Sequence, residues 1–358
     1  MIIFRYILKE LALSFFAVLI VLLMIIIGGR LIKTLAWAAA GEMSFSMVLL
    51  ALLYKLPSFL EIIIPMSFFI AILIGYGRLY AENEMTVLTA TGFSDSKLLG
   101  YVMAVALFLT FAVASFSLWL TPLGGQATED LYVKAAQQTE FELIVPGRFQ
   151  SMETGNRVTY TEALSEDKKQ MRHVFIADGN SIVVAQSGHQ YVSPETGSRF
   201  LELEKGKRYD LTPGSAELKV LNFDRYGARL AQESQERAKA RKESVSTLEI
   251  LGSQDPVLSA QVHWRFSLVA FVPIVGLLAF PLSKVQPRQG RFARMFPALV
   301  LFIIYAALVA GMVGVIEKGK VSPWLGVWAV HGVFLSIALL MLAWPSIQRR
   351  RYVRRVAA

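Results

Sequence analysis

LPSFLEIIIPMSFFIAILIGYG (56–77), RLYAENEMTVLTATGFSDSK (78–97) and LLGYVMAVALFLTFAVASFSLWL (98–120) follow one another, two long apolar stretches parted by a short polar one. Each apolar stretch is long enough to cross a bilayer as a helix, for which about 20 residues suffice. The polar segment has a pattern of its own. On a 3.6-residue period Tyr80, Val87, Leu88 and Thr91 fall on one stripe, Glu82, Thr86 and Thr89 lie on the polar face, and Glu84 sits inside the apolar stripe. Two readings stand side by side. The segment is a solvated loop helix, or it lies along the membrane face and docks its stripe into a groove on a soluble partner, with Glu84 meeting a basic group there. Gly92, after the last periodic residue, is expected to end the helix as a left-handed cap.

Composition fixes the class around that stretch. Of 358 residues, 54% are hydrophobic and only 18% charged, and the mean hydropathy is +0.49, which fits a multi-pass membrane protein and not an ordinary soluble domain. There are no cysteines, so neither a disulfide framework nor a thiolate metal site exists, and the four histidines lack ligand spacing. The net charge of +9 is concentrated beside apolar segments, where orientation and lipid headgroups account for it. Nucleic acid is not an expected partner.

The first apolar run is Leu11–Gly29, preceded by Arg5 and Lys9. Ala36-Trp37-Ala38 resembles a signal cleavage site, but the run is longer than a signal core, and Arg30 and Lys33 separate it from that site. It reads as a retained membrane helix. The second run extends from about Val48 to Gly77, interrupted by Lys55, Pro57, Glu61 and Pro65, and is expected to span with a tilt or proline kink. The run Leu98–Leu120 is expected to end at Pro122 and the two glycines behind it, Gly124 and Gly125.

From Gly124 to Val262 the character changes. Short segments such as Arg157–Tyr160, His173–Ile176, Ser181–Val184 and Phe200–Leu203 are parted by turn signals at Asp178-Gly179, Ser187-Gly188, Pro194–Gly197 and Pro213-Gly214. They predict an antiparallel all-β module of sandwich or jelly-roll type. Ala228–Val245 reads as a connecting helix or linker. Three more apolar runs follow, Phe266–Leu282, Phe296–Ile316 and Trp324–Trp344, before a basic tail of Arg349, Arg350, Arg351, Arg354 and Arg355.

The expected fold is thus an α-helical multi-pass membrane protein, six transmembrane helices in a 3+3 arrangement with an inserted all-β domain. Its parts are residues 1–123 (helices one to three, with the polar segment 78–97), 124–262 (the β domain and connecting helix) and 263–358 (helices four to six and the tail). With both termini in the cytoplasm, Arg5, Lys9, Arg78, Lys97, Lys284, Arg288, Arg291, Arg294 and the arginine tail all fall inside. Outside there remain Arg30, Lys33, Lys318 and Lys320, with Lys55 near a helix end. That bias places the β domain outside the cytoplasm and Glu84 within it.

No catalytic site emerges. The nucleotide-cradling G-x-x-x-x-G-K-[ST] loop, H-E-x-x-H and G-x-S-x-G are all missing, so neither an enzyme nor a cofactor or metal site is expected. Ionisable residues in apolar runs are functional suspects by default. Lys55 and Arg265 are expected to snorkel to an interface, and His331 to be a packed, hydrogen-bonded histidine. Glu61 either lines a polar cavity or pairs with a neighbour. Arg30 and Lys33 stand one turn apart at the outer end of the first helix, and Lys318 and Lys320 follow the fifth. Such clusters are either snorkelling anchors or the rim of a site for an amphiphile with anionic headgroups, its acyl chains packed on the helices below.

Four stretches carry a family resemblance: GRLYAENEMT (77–86), ATGFS (90–94), HWR (263–265) and PLSKVQPRQGR (281–291). Together they resemble the YjgP/YjgQ permease family of the lipopolysaccharide export ABC transporter, and the likeness extends over essentially the whole chain. The resemblance implies a periplasmic β-jellyroll and location in the bacterial inner membrane. It implies a heterodimer with an LptG-like permease on an LptB-like ATPase dimer, and a route onward to LptC-like and LptA-like periplasmic proteins. Glu84, with Tyr80, Val87 and Leu88, would belong to the helix that couples to the ATPase. Arg30, Lys33, Lys318 and Lys320 would correspond to basic positions that meet the lipid A phosphates of lipopolysaccharide. Hydrolysis would belong to the partner, and this chain would supply the lever, half the cavity and part of the exit. The rival is a mechanotransmitting or sensor subunit that moves no substrate. An exporter half should show its first and fifth helices opening towards a partner, lined by large apolar side chains below a basic rim, and a transmitter tightly packed small-residue interfaces.

Overall fold

A computed structural model of the protein describes residues 2–39, 45–142, 146–152, 157–165, 170–192, 199–211, 218–229, 242–284 and 295–356. Its contacts divide the chain into two compact units, one of Met1–Ile32, Ala51–Thr128 and Arg241–Ala358, the other of Lys33–Leu50 and Glu129–Ala240.

Helices make up the first unit and, over residues 33–39, 45–50 and 129–142, belong to the second. In chain order come α1 (Ile2–Ala39), α2 (Phe45–Tyr54), α3 (Leu56–Ala81), α4 (Glu84–Ala90), α5 (Asp95–Ser115), a π-helical turn (Phe116–Leu120), α6 (Thr121–Glu142), α7 (Thr247–Ile250), α8 (Pro256–Leu282), α9 (Met295–Glu317) and α10 (Pro323–Val356). Six helical stretches are long and apolar enough to cross a membrane: Ile2–Leu35, Leu56–Ala81, Asp95–Tyr132, Pro256–Leu282, Met295–Glu317 and Pro323–Trp344. The basic residues Arg288, Arg291 and Arg294, and the second half of the stretch 281–291, lie outside the described residues, as do the side chains of the arginine tail.

Local chemistry sets several boundaries. Pro57 has no N–H to donate, and the second apolar run divides at Lys55 into α2 and α3. Asp255 starts α8, its carboxylate accepting from the Val257 N–H at 2.9 Å, with Pro256 in the first turn where no donor is needed. Ser94 caps α5 in the same way through the Lys97 N–H. α8 is the hub and packs against α3, α5, α9 and α10. Phe271, Val272, Val275, Leu278, Ala279 and Phe280 are buried along it. At Gly276 a Cβ would meet the Phe68 ring at 3.1 Å, so the glycine lets α3 approach.

The third span departs from expectation. Pro122, Gly124 and Gly125 do not end it, and the helix runs on through the π turn to Glu142. Pro122 deprives the Leu118 carbonyl of its usual partner four residues on. The Thr247 hydroxyl donates to that carbonyl instead, at 2.6 Å, and the π turn absorbs the mismatch. The glycines serve close approach. A Cβ at Gly124 would run into the Tyr54 carbonyl oxygen, and one at Gly125 would sit 2.8 Å from the backbone of Glu243 and Ser244.

The second unit carries one six-stranded antiparallel sheet in the order β1-β2-β3-β4-β5-β6. The strands are Gln150–Met152, Arg157–Leu164, Gln170–Asp178, Ser181–Val192, Arg199–Leu211 and Leu218–Arg229. The expected sandwich or jelly-roll takes the form of an up-and-down sheet, with no crossover among the described strands. Alternation puts one face inside: Val174 stands opposite Ala185 and Ile176 opposite Val183, and Leu201 and Leu203 complete the buried cluster with Met171. Gly179, with φ +56°, makes the tight turn between β3 and β4. Ser187-Gly188 is not a turn. It lies inside β4, and Gly188 leaves room for the Leu203 side chain opposite, which a Cβ would approach to 2.9 Å. The turn signals at Pro194–Gly197 and Pro213-Gly214 lie outside the described residues. Of the expected connecting helix, Ala228 and Arg229 end β6, 230–241 are not described, and 242–244 form a helical turn.

Candidate functional site

The polar segment 78–97 resolves into three pieces: the last turn of α3, the short α4, and the start of α5. Asn83, at φ 62°, makes the corner that sets α4 off from α3. Gly92 ends α4 as expected, at φ +89°. Its N–H reaches the Thr89 carbonyl and the Phe93 N–H reaches that of Leu88, a Schellman cap. Met85 is fully buried and anchors α4 on the core, with Tyr80 and Leu88 packed beside it. Val87 is 61% exposed. The free face of α4 is therefore narrower than the apolar stripe, and consists of Val87 and its polar neighbours.

Glu84 is half-buried at the head of α4. The Tyr6 hydroxyl of α1 donates to its Oε2 at 2.7 Å. Close by, Arg78 of α3 pairs with Glu10 of α1 at 2.8 Å, and Lys284 at the end of α8 with Asp95 of α5 at 2.6 Å. These contacts join α1, α3, α4, α5 and α8 at one end of the helical unit. Neither Tyr6 nor Glu10 was singled out by sequence. A tyrosine beside an arginine at the head of a membrane helix reads as an interfacial anchor, whereas the lone acid within the first ten residues was a usable signal.

The four basic candidates occupy two places. Arg30 is half-buried on α1, its guanidinium 5.9 Å from the Phe59 ring centre of α3. Lys33 is exposed one turn further along α1. Lys318 and Lys320 are exposed on either side of Gly319, which closes α9 in a second Schellman cap: the Gly319 N–H bonds to Ile316 and the Lys320 N–H to Val315. Glu317 beside them pairs with Lys242 at 3.1 Å.

Of the ionisable residues inside spans, Arg265 does not snorkel. It is 1% exposed, because it has partners where it lies. Its Nη1 donates to Thr247 Oγ1 at 2.7 Å, and its Nη2 to the carbonyls of Val245 at 2.9 Å and Glu243 at 3.2 Å. Its own carbonyl accepts from the Ser117 hydroxyl in the π turn. Glu61 is buried and accepts from Thr121 Oγ1 at 2.9 Å, so it pairs with a neighbour. His331 is packed as expected, between the Ser267 hydroxyl at its Nε2, 2.7 Å away, and the Tyr305 hydroxyl at its Nδ1. The Tyr305 ring is stacked between Phe271 and Phe334. Lys55 is half-buried at the junction of α2 and α3.

The six spans are buried unequally. Along their apolar stretches 72% of residues are buried in α3 and 61% in α8, against 6% in α1, 22% in α9, 28% in the third span and 33% in the sixth. Leu13, Phe16, Ile20 and Met24 of α1 and Phe296, Ile303, Ile304 and Leu308 of α9 all stand exposed.

A family model described as the lipopolysaccharide export system permease LptF/LptG matches residues 5–344. The lipopolysaccharide export system permease protein LptF of Escherichia coli K12 is 29% identical over 358 residues, which cover 98% of this chain and 97% of that protein. The protein of the same description from Shigella flexneri matches to the same extent.

Proposed function

The chain belongs to the LptF/LptG family of lipopolysaccharide export system permeases, and on that premise we propose that it forms one half of a membrane cavity which a second, LptG-like permease completes. It is an inner-membrane protein and a permease subunit of lipopolysaccharide export. The observation that carries the two-half reading is the apolar surface of α1 and α9, the first and fifth spans, whose large side chains stand exposed while α3 and α8 are packed inside. That pattern supports an exporter half over a transmitter, which would hide small residues in close interfaces. Acyl chains are the natural occupants of such walls.

In this reading the termini and α4 face the cytoplasm and the sheet lies in the periplasm, where LptC-like and LptA-like proteins receive the substrate. Residues 1–123 and 263–358 supply the membrane part and 124–262 the periplasmic part. Glu84 and Val87 meet the groove of an LptB-like ATPase, with Tyr80 and Leu88 fixing α4 from behind. ATP-driven closure of that partner moves α4, the cavity narrows, and lipopolysaccharide rises towards the sheet. Arg30, Lys33, Lys318 and Lys320 meet its phosphates at the rim.

Reversing charge at Arg30 and Lys33 together tests the rim. In vesicles holding the assembled transporter, lipopolysaccharide-stimulated ATP hydrolysis is expected to fall more than basal hydrolysis. Equal loss of both would assign the pair a structural role.

A further inference from the structure

The contact between α1 and α4 extends the coupling site. We propose that Tyr6 is a positioning residue for Glu84, and that the surface offered to the ATPase therefore includes the first turns of α1 as well as α4. This rests on the reading of Glu84 as the coupling carboxylate. The Tyr6 hydroxyl donates to Glu84 Oε2 at 2.7 Å across 78 residues of sequence. Tyr6 is itself held on a rigid mount. Ile7 is fully buried and Leu11 nearly so, the Phe4 ring meets the Tyr101 ring edge-on at 4.9 Å, and Glu10 pairs with Arg78. On the other side Met85 locks α4. A carboxylate on a short helix otherwise samples several rotamers, and ordering it on binding costs affinity.

The phenol suits this task chemically. Being neutral, it leaves the charge of Glu84 intact, and by bonding one oxygen it leaves the other to accept from a basic group of the partner. An arginine or lysine in place of Tyr6 would cancel the charge that the partner reads. Tyr6 is 42% exposed, so removing its hydroxyl disturbs no core.

The test titrates the ATPase into the purified permease heterodimer carrying the natural chain, Tyr6→Phe, Glu84→Gln, or both. Tyr6→Phe is expected to weaken binding about three- to tenfold, the weight of one hydrogen bond to a charged group, with no change in the melting temperature of the heterodimer. In the Glu84→Gln background the same substitution is expected to change binding far less, since its effect passes through the carboxylate. Unchanged or tighter binding by Tyr6→Phe, or an equal loss in both backgrounds, overturns the proposal while leaving the role of Glu84 standing. Unchanged binding by Glu84→Gln overturns both.

Discussion

Two polar clusters sit in the helical unit, and they are built in opposite ways. Around Glu84 the groups are partly exposed: Tyr6 is 42% exposed, and the Asp95 partner of Lys284 is 54% exposed. Around Arg265 everything is inside, and each guanidinium contact is a hydrogen bond to a buried or half-buried oxygen. Water competes for every bond in the first cluster and for almost none in the second. Exposed pairs contribute little to stability and are remade at low cost, whereas a buried cation stripped of partners is expensive. The first cluster is suited to exchanging partners, the second to holding a shape.

Substitutions ranked by their effect on stability sharpen that contrast. Arg265→Met leaves Thr247 and the carbonyls of Glu243 and Val245 without their donor, and is expected to destabilise the protein by about 3 kcal/mol or more, read as a lowered unfolding midpoint in detergent. Thr247→Val removes the bond to Leu118 and the acceptor for Arg265 together, and should cost about 2 kcal/mol. A midpoint equal to that of the natural chain for either would erase the distinction between the clusters. His331→Phe strands the hydroxyls of Ser267 and Tyr305, at about 1–2 kcal/mol by the same measurement. Glu84→Ala is expected to move the midpoint by no more than about 0.5 kcal/mol while uncoupling hydrolysis from lipopolysaccharide in reconstituted vesicles. Lys284→Ala should be smallest on both counts, and its effect should vanish in high salt.

Features governed by near neighbours in sequence were legible in advance. The six spans announced themselves by hydropathy, and Gly92 ends α4 as its position after the stripe foretold, because a helix cap is settled within six residues. Alternation likewise revealed the strands. Misreadings arose where a distant residue decides. Pro122 ends a helix only if the carbonyl four residues back goes unpaired, and Thr247, 129 positions away, supplies the bond. Arg265 looked like a snorkelling side chain because its acceptors are mostly backbone carbonyls, which carry no mark in sequence. Gly124, Gly125 and Gly188 resemble breakers yet mark places where another chain segment comes close. At the candidate site Glu84 stood out as a misplaced charge, but Tyr6 did not, since a hydroxyl that aims at one oxygen is ordinary until the fold brings the two together.

Thr247 also ties two limbs of the helical unit together. Its single hydroxyl accepts from Arg265 and donates to Leu118, thereby clasping the outgoing limb of the insertion, the π turn leading into α6, to the returning limb that leads into α8. Neither limb can unwind by itself without opening that shared clasp. The two limbs thus yield together or not at all, as a load falls on a yoke and not on a single strap.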